Sequence, residues 1–400
     1  MINWFKNTGP GVLVAAAFIG PGTVTLCTLA GVKYGYSLLW AMTLSIVATV
    51  ILQEMSARIG IITQKGLAQV IKEQIKSPIL NKLTIILILS AIVVGNAAYE
   101  AGNISGASLG LSAIFGNSLY YLYPIIIGVI AFGLLFIGNY KVLERSLVFL
   151  VLIMSISFLL TAIITKPNIG LMLKGMFIPS FPNGSVLTII GLIGTTVVPY
   201  NLFLHASLVK EKWKHKNDLK FARKDTFIAI ILGGFVSMSI IIAASAINGV
   251  EIKNGIDLAK GLEPLYGNFA KYFLGIGLFA AGITSAITAP LAAAYVARSC
   301  FGWDVGLKNI KFRMVWFLIL VLGVVFSSFK INPIEIIKFA QVANGILLPI
   351  IALFLLWIVN KTTVLGTYKN GILQNIISGV IILVTLVLGF KSILKVFELL

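Results

Sequence analysis

Eleven apolar segments recur along this 400-residue chain, and each approaches or exceeds the ~18 residues that a helix needs to cross a bilayer. Hydrophobic residues make up 58% of the chain and charged residues 11%, well below the ~25% typical of soluble domains. The alternating pattern of membrane strands does not occur, which argues against a β-barrel. The sequence therefore predicts an all-α polytopic membrane protein with spans near 10–33, 37–58, 83–112, 119–138, 143–165, 186–209, 225–248, 267–297, 312–329, 334–359 and 371–396.

The basic residues lie between the apolar segments. Although the net charge is +18, they do not form the patch on a soluble face that nucleic-acid binding requires, so a nucleic-acid partner is excluded. A cytoplasmic N-terminus places 21 of the 31 basic residues on the cytoplasmic side, as the positive-inside rule favours. We therefore expect a multi-pass protein of the cell membrane with its N-terminus cytoplasmic and its C-terminus outside. The basic run 210–225 is interpreted as an orientation-setting loop near anionic lipid rather than as a docking surface for a partner.

Two of the apolar segments are interrupted at their centres. The first contains Gly20-Pro21-Gly22, and the sixth contains Pro199. Proline removes a backbone donor and clashes with the preceding turn, so both helices are expected to break. Hydrocarbon cannot satisfy the exposed backbone groups, and such breaks persist only where they line a cavity or are buried in protein. Matched breaks in the first segment of each of two five-span halves are typical of a secondary transporter with inverted repeats and a central site.

Several stretches around these breaks resemble the NRAMP family of proton-coupled divalent-metal transporters. They include "GPGVLVAAAFIGPGT", "LQEMSARIGIITQKGLA", "LERSLVFLVLIMSISF", "GLIGTTVVPYNLFLHASLV", "GITSAITAPLAAAYV" and "AQVANGILLPIIALFLL". The resemblance implies a five-plus-five inverted repeat, shared with amino-acid permeases, and an added eleventh span. It implies one transmembrane domain over 1–400, with repeat one at about 10–165, repeat two at about 186–359 and the extra span at 371–396.

The sequence departs from the family motif at the expected metal site. The family's Asp-Pro-Gly-Asn is Gly20-Pro21-Gly22-Thr23 here, so the ligating carboxylate is missing and the amide is a hydroxyl. The family's Met-Pro-His-Asn is Val198-Pro199-Tyr200-Asn201, so the methionine sulfur and the first histidine are also missing. The later histidine of that segment is retained as His205, and the glutamine of the tenth span matches Gln341.

Cargo is therefore expected to meet neutral oxygens. Oxygen donors of this kind suit hard ions such as Mg²⁺ and Ca²⁺, and Thr23, Asn201 and Gln341 are the candidate metal ligands. For Asn201, a role as a helix cap is an equal alternative. The predicted substrate-binding residues lie at or near the two breaks or on the tenth span: Gly20, Thr23, Thr195, Val198, Tyr200, Asn201, Gln341 and Asn344.

Glu100 and His205 are the candidate proton-coupling residues. Glu100 lies on an otherwise uncharged span, and an intramembrane carboxylate is a functional hypothesis by default. Counted from Lys82, it falls in the outer third of its span, which suits a vestibule or proton role. Two other residues are interpreted as structural: Cys27 as packing, and Glu54 as the partner of Arg58 one helical turn away.

Two functions remain open. The first is a secondary transporter of divalent cations with altered metal selectivity, for a hard ion such as Mg²⁺, with protons as the coupling ion. The alternative is a transporter of the same fold for a non-metal solute, such as an amino acid or a small anion, since without the aspartate the half-helix N-termini keep their positive potential. A sensor without transport is a third class. No catalytic motif or P-loop occurs, so neither an enzyme nor ATP-driven transport is expected, and no cofactor is implied.

Overall fold

Long helices account for most of the chain in the computed structural model, which describes residues 9–11, 19–138, 141–247, 251–303, 306–329 and 331–396. In this part of the chain the regular structure is α-helix and 3₁₀ turn, without a strand. Ten helical stretches in it are long and apolar enough to cross a membrane. The prediction of an all-α polytopic membrane protein is confirmed.

Twelve helices of the described chain occupy the predicted apolar segments. They are α1 Pro21–Tyr34, α2 Leu39–Thr63, α3 Pro78–Phe115, α4 Tyr123–Ile137, α5 Lys141–Ile164, α6 Val186–Thr196, α7 Pro199–Lys212, α8 Leu219–Ala244, α9 Ala270–Phe301, α10 Ile310–Ser327, α11 Pro333–Val359 and α12 Ile372–Val396. Shorter helices lie in the connections at Leu67–Gln74, Ile169–Phe177, Gly255–Ala259, Glu263–Tyr266 and Thr362–Leu365.

The sixth predicted segment is two helices, α6 and α7, separated by two residues. In the first predicted segment, residues 10 and 11 are helical, residues 12–18 lie outside the described residues, and 19–20 form a bend before α1 starts at Pro21. The predicted break in the sixth segment is therefore confirmed, and that in the first is seen from its C-terminal side. Helices α1 and α7 each start at a proline, because its fixed φ suits the first turn of a helix.

Helix packing divides the described chain into two groups. In the bundle group, α8 packs against α1 and α2, and α7 packs against α2. In the scaffold group, α3 packs against α9 and α10, and α4 packs against α3 and α10. Helix α5 connects the groups through α8 and α9, and α11 connects them through α6 and α3.

This packing relates the two halves of the chain at an offset of five spans. The pairs α2–α8 and α3–α9 each join corresponding helices, and exchanging the halves converts the α1–α8 contact into the α7–α2 contact. The same exchange converts α3–α11 into α9–α5. The pattern is that of an inverted-repeat transporter fold, while the exact bounds of the repeats remain a prediction.

Small residues bring the helices of the scaffold group close to the first break. A Cβ atom added at Gly106 of α3 would overlap the ring of Pro21, and one added at Gly282 of α9 would meet the Ala107 backbone at 2.9 Å. Helices in membranes associate through such close contacts, since lipid supplies no hydrophobic force between them. Helix α3 is therefore packed against both the break and α9.

A buried ion-pair cluster links α2 to the connection between α11 and α12. Arg58, 1% exposed, lies 3.0 Å from Glu54, and Glu54 also pairs with Arg223 of α8 at 2.8 Å. The Arg58 guanidinium donates to the Tyr368 carbonyl at 2.7 Å and to Asn370 Oδ1 at 2.6 Å. The Glu54–Arg58 ion pair is thus confirmed as structural, and it extends to two further elements.

Gly106→Ala is expected to lower the thermal midpoint of the purified protein, because the new methyl group has no room beside the Pro21 ring. Overpacking of this kind costs about 1–3 kcal/mol. Gly133→Ala in α4 is the matched control, since no atom lies within 4 Å of its added Cβ, and alanine there improves helix propensity by up to ~1 kcal/mol. Equal midpoints for the two variants in detergent would contradict the close α3–Pro21 contact.

Candidate functional site

The two interruptions leave three helix ends: the start of α1, the end of α6 and the start of α7. Gly20 precedes α1 in an extended conformation, with φ −102° and ψ −176°. Helix α6 ends at Thr196, and α7 starts at Pro199 after an extended Val198 with φ −79° and ψ 122°. No side chain caps the N-terminus of either α1 or α7. Both starts therefore retain the partial positive charge of a helix N-terminus, with no side chain to offset it.

A side-chain contact joins the two breaks directly. The Thr23 and Thr195 hydroxyls form a hydrogen bond between α1 and α6, and both side chains are fully buried. A hydroxyl oxygen has acceptor positions, so this pair brings oxygen donors from both breaks to one point. Two predicted site residues that are 172 positions apart in sequence thus lie side by side.

Helix α11 closes the site from a third side. The Gln341 side chain lies so close to Gly22 that a Cβ atom at position 22 would overlap its amide nitrogen. The backbone of Gln341 approaches Gly194 of α6 equally closely. A side chain at position 194 would separate α11 from α6, because it would meet backbone, whereas one at position 22 would displace the Gln341 side chain. The structure therefore brings Thr23, Thr195 and Gln341 together.

Several buried amide groups at this site have no hydrogen-bond partner in the described structure. They are both amide atoms of Asn201, Oε1 of Gln341 and Nδ2 of Asn344. Buried polar groups are almost always paired, and one left alone costs about 1–3 kcal/mol. The unpaired atoms of Asn201 also contradict the helix-cap interpretation, because a cap would bond the first-turn N–H groups. Unpaired buried donors and acceptors of this kind indicate a place for polar cargo.

The remaining predicted substrate-binding residues lie near this cluster in different ways. Gly20, Val198 and Tyr200 are adjacent in sequence to the two helix starts, and all three are buried. Asn344 is on α11, one turn from Gln341, but its Oδ1 faces α3, 3.8 Å from a Cβ placed on Gly95. Asn344 therefore lines the α3 side of α11.

Glu100 lies at the depth of the breaks, and the prediction of an outer-third position is wrong. Its neighbour Tyr99 contacts Tyr200 ring to ring, and Gly106, six residues on, packs on Pro21. The error arose because α3 extends over 38 residues from Pro78, about 57 Å of helix, so counting from Lys82 misjudged the depth. The Glu100 carboxylate accepts a 3.3 Å hydrogen bond from Asn103, while its Oε1 has no partner in the described structure.

His205 lies one turn beyond Asn201 on α7 and is fully buried. Its Nδ1 is 2.9 Å from Oε1 of Gln53 on α2, and its Nε2 has no partner among the described residues. Sequence reasoning missed Gln53, because nothing in the spacing of its segment pairs it with α7. It missed Tyr99 for the same reason, since that contact depends on how α3 packs against α7.

Neutral groups make up the coordinating chemistry of the described site. No cluster of three or more His, Cys, Asp or Glu side chains occurs in the described part of the chain. Cys27 is buried in the apolar core, as its packing interpretation predicts. Any cation at the breaks would therefore be held by hydroxyl, amide and backbone oxygens.

Sequence comparison places the chain among transporters along nearly its whole length. A family described as "Natural resistance-associated macrophage protein-like" matches residues 11–395. The chain is 28% identical to the divalent metal cation transporter MntH of Verminephrobacter eiseniae, covering 92% of this chain and 84% of the relative. It is 27% identical to MntH of Bacillus subtilis, covering 98% and 92% respectively.

Structural comparison gives the same fold. A manganese transporter of Eremococcus coleocola superposes with a TM-score of 0.78 at 20% identity, covering 97% of this chain and 86% of that one. MhsT in complex with L-phenylalanine superposes with a TM-score of 0.65 at 15% identity, covering 96% and 98%. At these identities the likeness concerns the fold alone.

Asn201→Leu is expected to raise the thermal midpoint of the cargo-free protein, because it removes two unpaired buried polar atoms and keeps a similar volume. The gain corresponds to about 1–3 kcal/mol. Asn96→Leu is the matched control: Asn96 is equally buried, but its amide donates to the Ala289 carbonyl at 3.0 Å, so this variant is expected to lose stability. A loss of stability in both variants would mean that the Asn201 amide is paired.

Proposed function

Because the chain belongs to the Nramp family, we propose that it carries a divalent cation through a site of neutral oxygens, with a preference for hard ions such as Mg²⁺. The curated relatives are named divalent metal cation transporters, and the chain is accordingly a membrane transporter rather than an enzyme. The observation that carries the proposal is the unpaired amide of Asn201 beside the α7 helix start. Thr23, Asn201 and Gln341 are the proposed side-chain ligands.

The chemistry of these donors favours one class of ion. Carbonyl, amide and hydroxyl oxygens suit Mg²⁺ and Ca²⁺, whereas thioether and thiolate sulfur favours softer transition metals. Val198 occupies the position at which the family resemblance implies a methionine, so that preference for soft ions is absent from its side chain. Mg²⁺ gives up its water reluctantly, and a site without a carboxylate suits an ion that keeps part of its hydration shell.

A non-metal solute is the second candidate, and the uncapped starts of α1 and α7 favour it. Two helix N-termini without an acidic side chain concentrate positive potential at the breaks. In broken-helix transporters such ends hold anionic substrate groups, and the structurally similar MhsT is described with bound L-phenylalanine. A carboxylate-bearing cargo would use the same N–H groups that a metal leaves unpaired.

Protons are the proposed coupling ion, with Glu100 and His205 as the titrating groups. Both side chains are fully buried, and each has one polar atom without a partner in the described structure. Glu100 lies at the depth of the breaks, and His205 lies one turn beyond Asn201. A change in the charge of either group would therefore be felt at the cargo site with little screening by solvent.

Alternating access is proposed to proceed by rocking of the bundle group against the scaffold group. The separate packing of the two groups supports this movement. The proposed repeats are 10–165 and 186–359, with 371–396 as the extra span. The proposed orientation, with the N-terminus cytoplasmic and the C-terminus outside, is supported by the exposed basic side chains between α7 and α8.

Gly20→Asp distinguishes the two candidates. The extended backbone at Gly20 is accessible to any residue, so aspartate adopts it without backbone strain. For a cation carrier, we expect Mg²⁺ uptake into proteoliposomes before the change and a shift in metal preference after it. For a solute carrier, we expect no metal uptake before the change and new Mn²⁺ binding after it.

Gly20→Asn is the control for Gly20→Asp, because it adds a similar volume without the charge. The assay scans Mn²⁺, Mg²⁺, Ca²⁺, amino acids and small anions in both variants. Mg²⁺ flux that survives Thr23→Ala and Asn201→Ala unchanged would contradict the proposed ligands. Absence of uptake for every cargo tested would contradict transport itself.

Glu100→Gln is expected to abolish the acceleration of uptake by an inward pH gradient, because the amide cannot carry a proton between the two sides. Uptake without a gradient is expected to remain. Glu335→Gln serves as the control, since Glu335 is exposed and pairs only with Lys338 at 2.8 Å in the described structure. If the pH gradient stimulates the Glu100→Gln variant as strongly as the parent, proton coupling does not use this residue.

A further inference from the structure

Tyr99 and Tyr200 meet edge-on next to the break between α6 and α7. Their ring centroids are 5.4 Å apart at an interplanar angle of 66°, and each side chain is 1% exposed. Edge-on pairs of this kind are favourable contacts between rigid, bulky side chains. Tyr200 immediately follows Pro199, so the contact lies within the first turn of α7.

The tyrosine contact crosses the boundary between the two helix groups. Tyr99 belongs to α3 of the scaffold group, and Tyr200 belongs to α7 of the bundle group. A movement of one group against the other must therefore change this contact. An aromatic pair that lies within one group, by contrast, would keep its geometry during such a movement.

The contact also marks one end of the candidate site at the breaks. Tyr99, Gly102 and Gly106 lie on one face of α3 at helical spacing. Gly106 packs on Pro21, Gly102 lies opposite Ala340 with its added Cβ at 3.0 Å, and Tyr99 meets Tyr200. Seven residues of helix, about 10 Å, separate the Pro21 contact from the tyrosine pair. Between these two contacts, the same face of α3 carries Gly102.

We propose that the Tyr99–Tyr200 contact is the barrier that closes the candidate site at the breaks toward the basic end of α7, and that Tyr99 is the scaffold-side half of this gate. From Tyr200, helix α7 continues to the basic residues Lys210 and Lys212. Cargo leaving the breaks in that direction passes the two rings only when the groups separate. The inference rests on the proposed transport function for its purpose, but the barrier itself is measured without cargo.

The experiment measures how readily a water-soluble reagent reaches the breaks, using a reporter cysteine. Val197→Cys places a thiol of similar volume in the buried link between α6 and α7. The native thiols Cys27 and Cys300, both buried, are replaced by alanine so that only the reporter reacts. A membrane-impermeant methanethiosulfonate reagent is then applied to each face of sealed membrane vesicles in turn.

Tyr99→Ala is expected to raise the modification rate of the reporter at least about ten-fold from one face only, because the remaining ring of Tyr200 cannot fill the gap. Tyr99→Phe keeps the ring and is expected to match the parent. Tyr295→Ala is the matched control: Tyr295 makes an edge-on pair with Phe312 at 5.5 Å, away from the breaks, and its loss is expected to leave the rate unchanged.

Three results would overturn the barrier. They are an unchanged rate in folded Tyr99→Ala, an equal rise from both faces, or an equal rise in Tyr295→Ala. If Tyr99→Ala does not fold, Tyr99→Leu provides the same test, because leucine fills enough volume to support packing but is smaller than tyrosine and still leaves a gap beside Tyr200. A protein that transports no cation but shows the one-sided rise in access keeps the barrier and loses only the proposed cargo.

Discussion

Hydrocarbon cannot pair with backbone N–H and C=O groups, and this constraint governs the rest of the structure. Pro21 and Pro199 prevent two membrane spans from pairing all of their own backbone groups at the middle of the span, so the breaks must be covered by protein. Helix α11 covers them through Gln341, and α3 covers them through Gly106, which leaves room for the Pro21 ring. The glycine contacts of α3, α6 and α11 are therefore consequences of the interruptions that they enclose.

The uncharged character of the site has an electrostatic consequence. A carboxylate at a helix N-terminus would cancel the positive end of the helix dipole and attract a dication. With glycine at position 20, α1 and α7 both present uncompensated N-termini. Any cation at the breaks would then be stabilised by the oxygen ends of neutral dipoles. The likeness to metal transporters and the chemistry of this site thus favour different cargoes.

Local chemistry was predictable from the sequence, and packing between distant segments was not. Proline and glycine predicted the break in the sixth segment and the start of α1, because their effect on the backbone needs no partner. The depth of Glu100 was wrong, because α3 extends beyond the apolar stretch that was used to measure it. The pairing of His205 with Gln53 and of Tyr200 with Tyr99 could not be foreseen. Each joins two helices whose relative rotation is fixed only in the assembled fold.

Arg58 gives the eleventh span a mechanical connection that its position at the end of the chain does not suggest. The guanidinium holds Tyr368 and Asn370, directly before α12, to helix α2 of the bundle group. Asn370 also donates to Asn375 in the first turn of α12, so the tether continues into that helix. If α2 tilts in the proposed rocking movement, these hydrogen bonds would draw the end of α12 with it. Bilayer thickness or lateral pressure acting on this terminal helix would therefore be felt by the rocking helices.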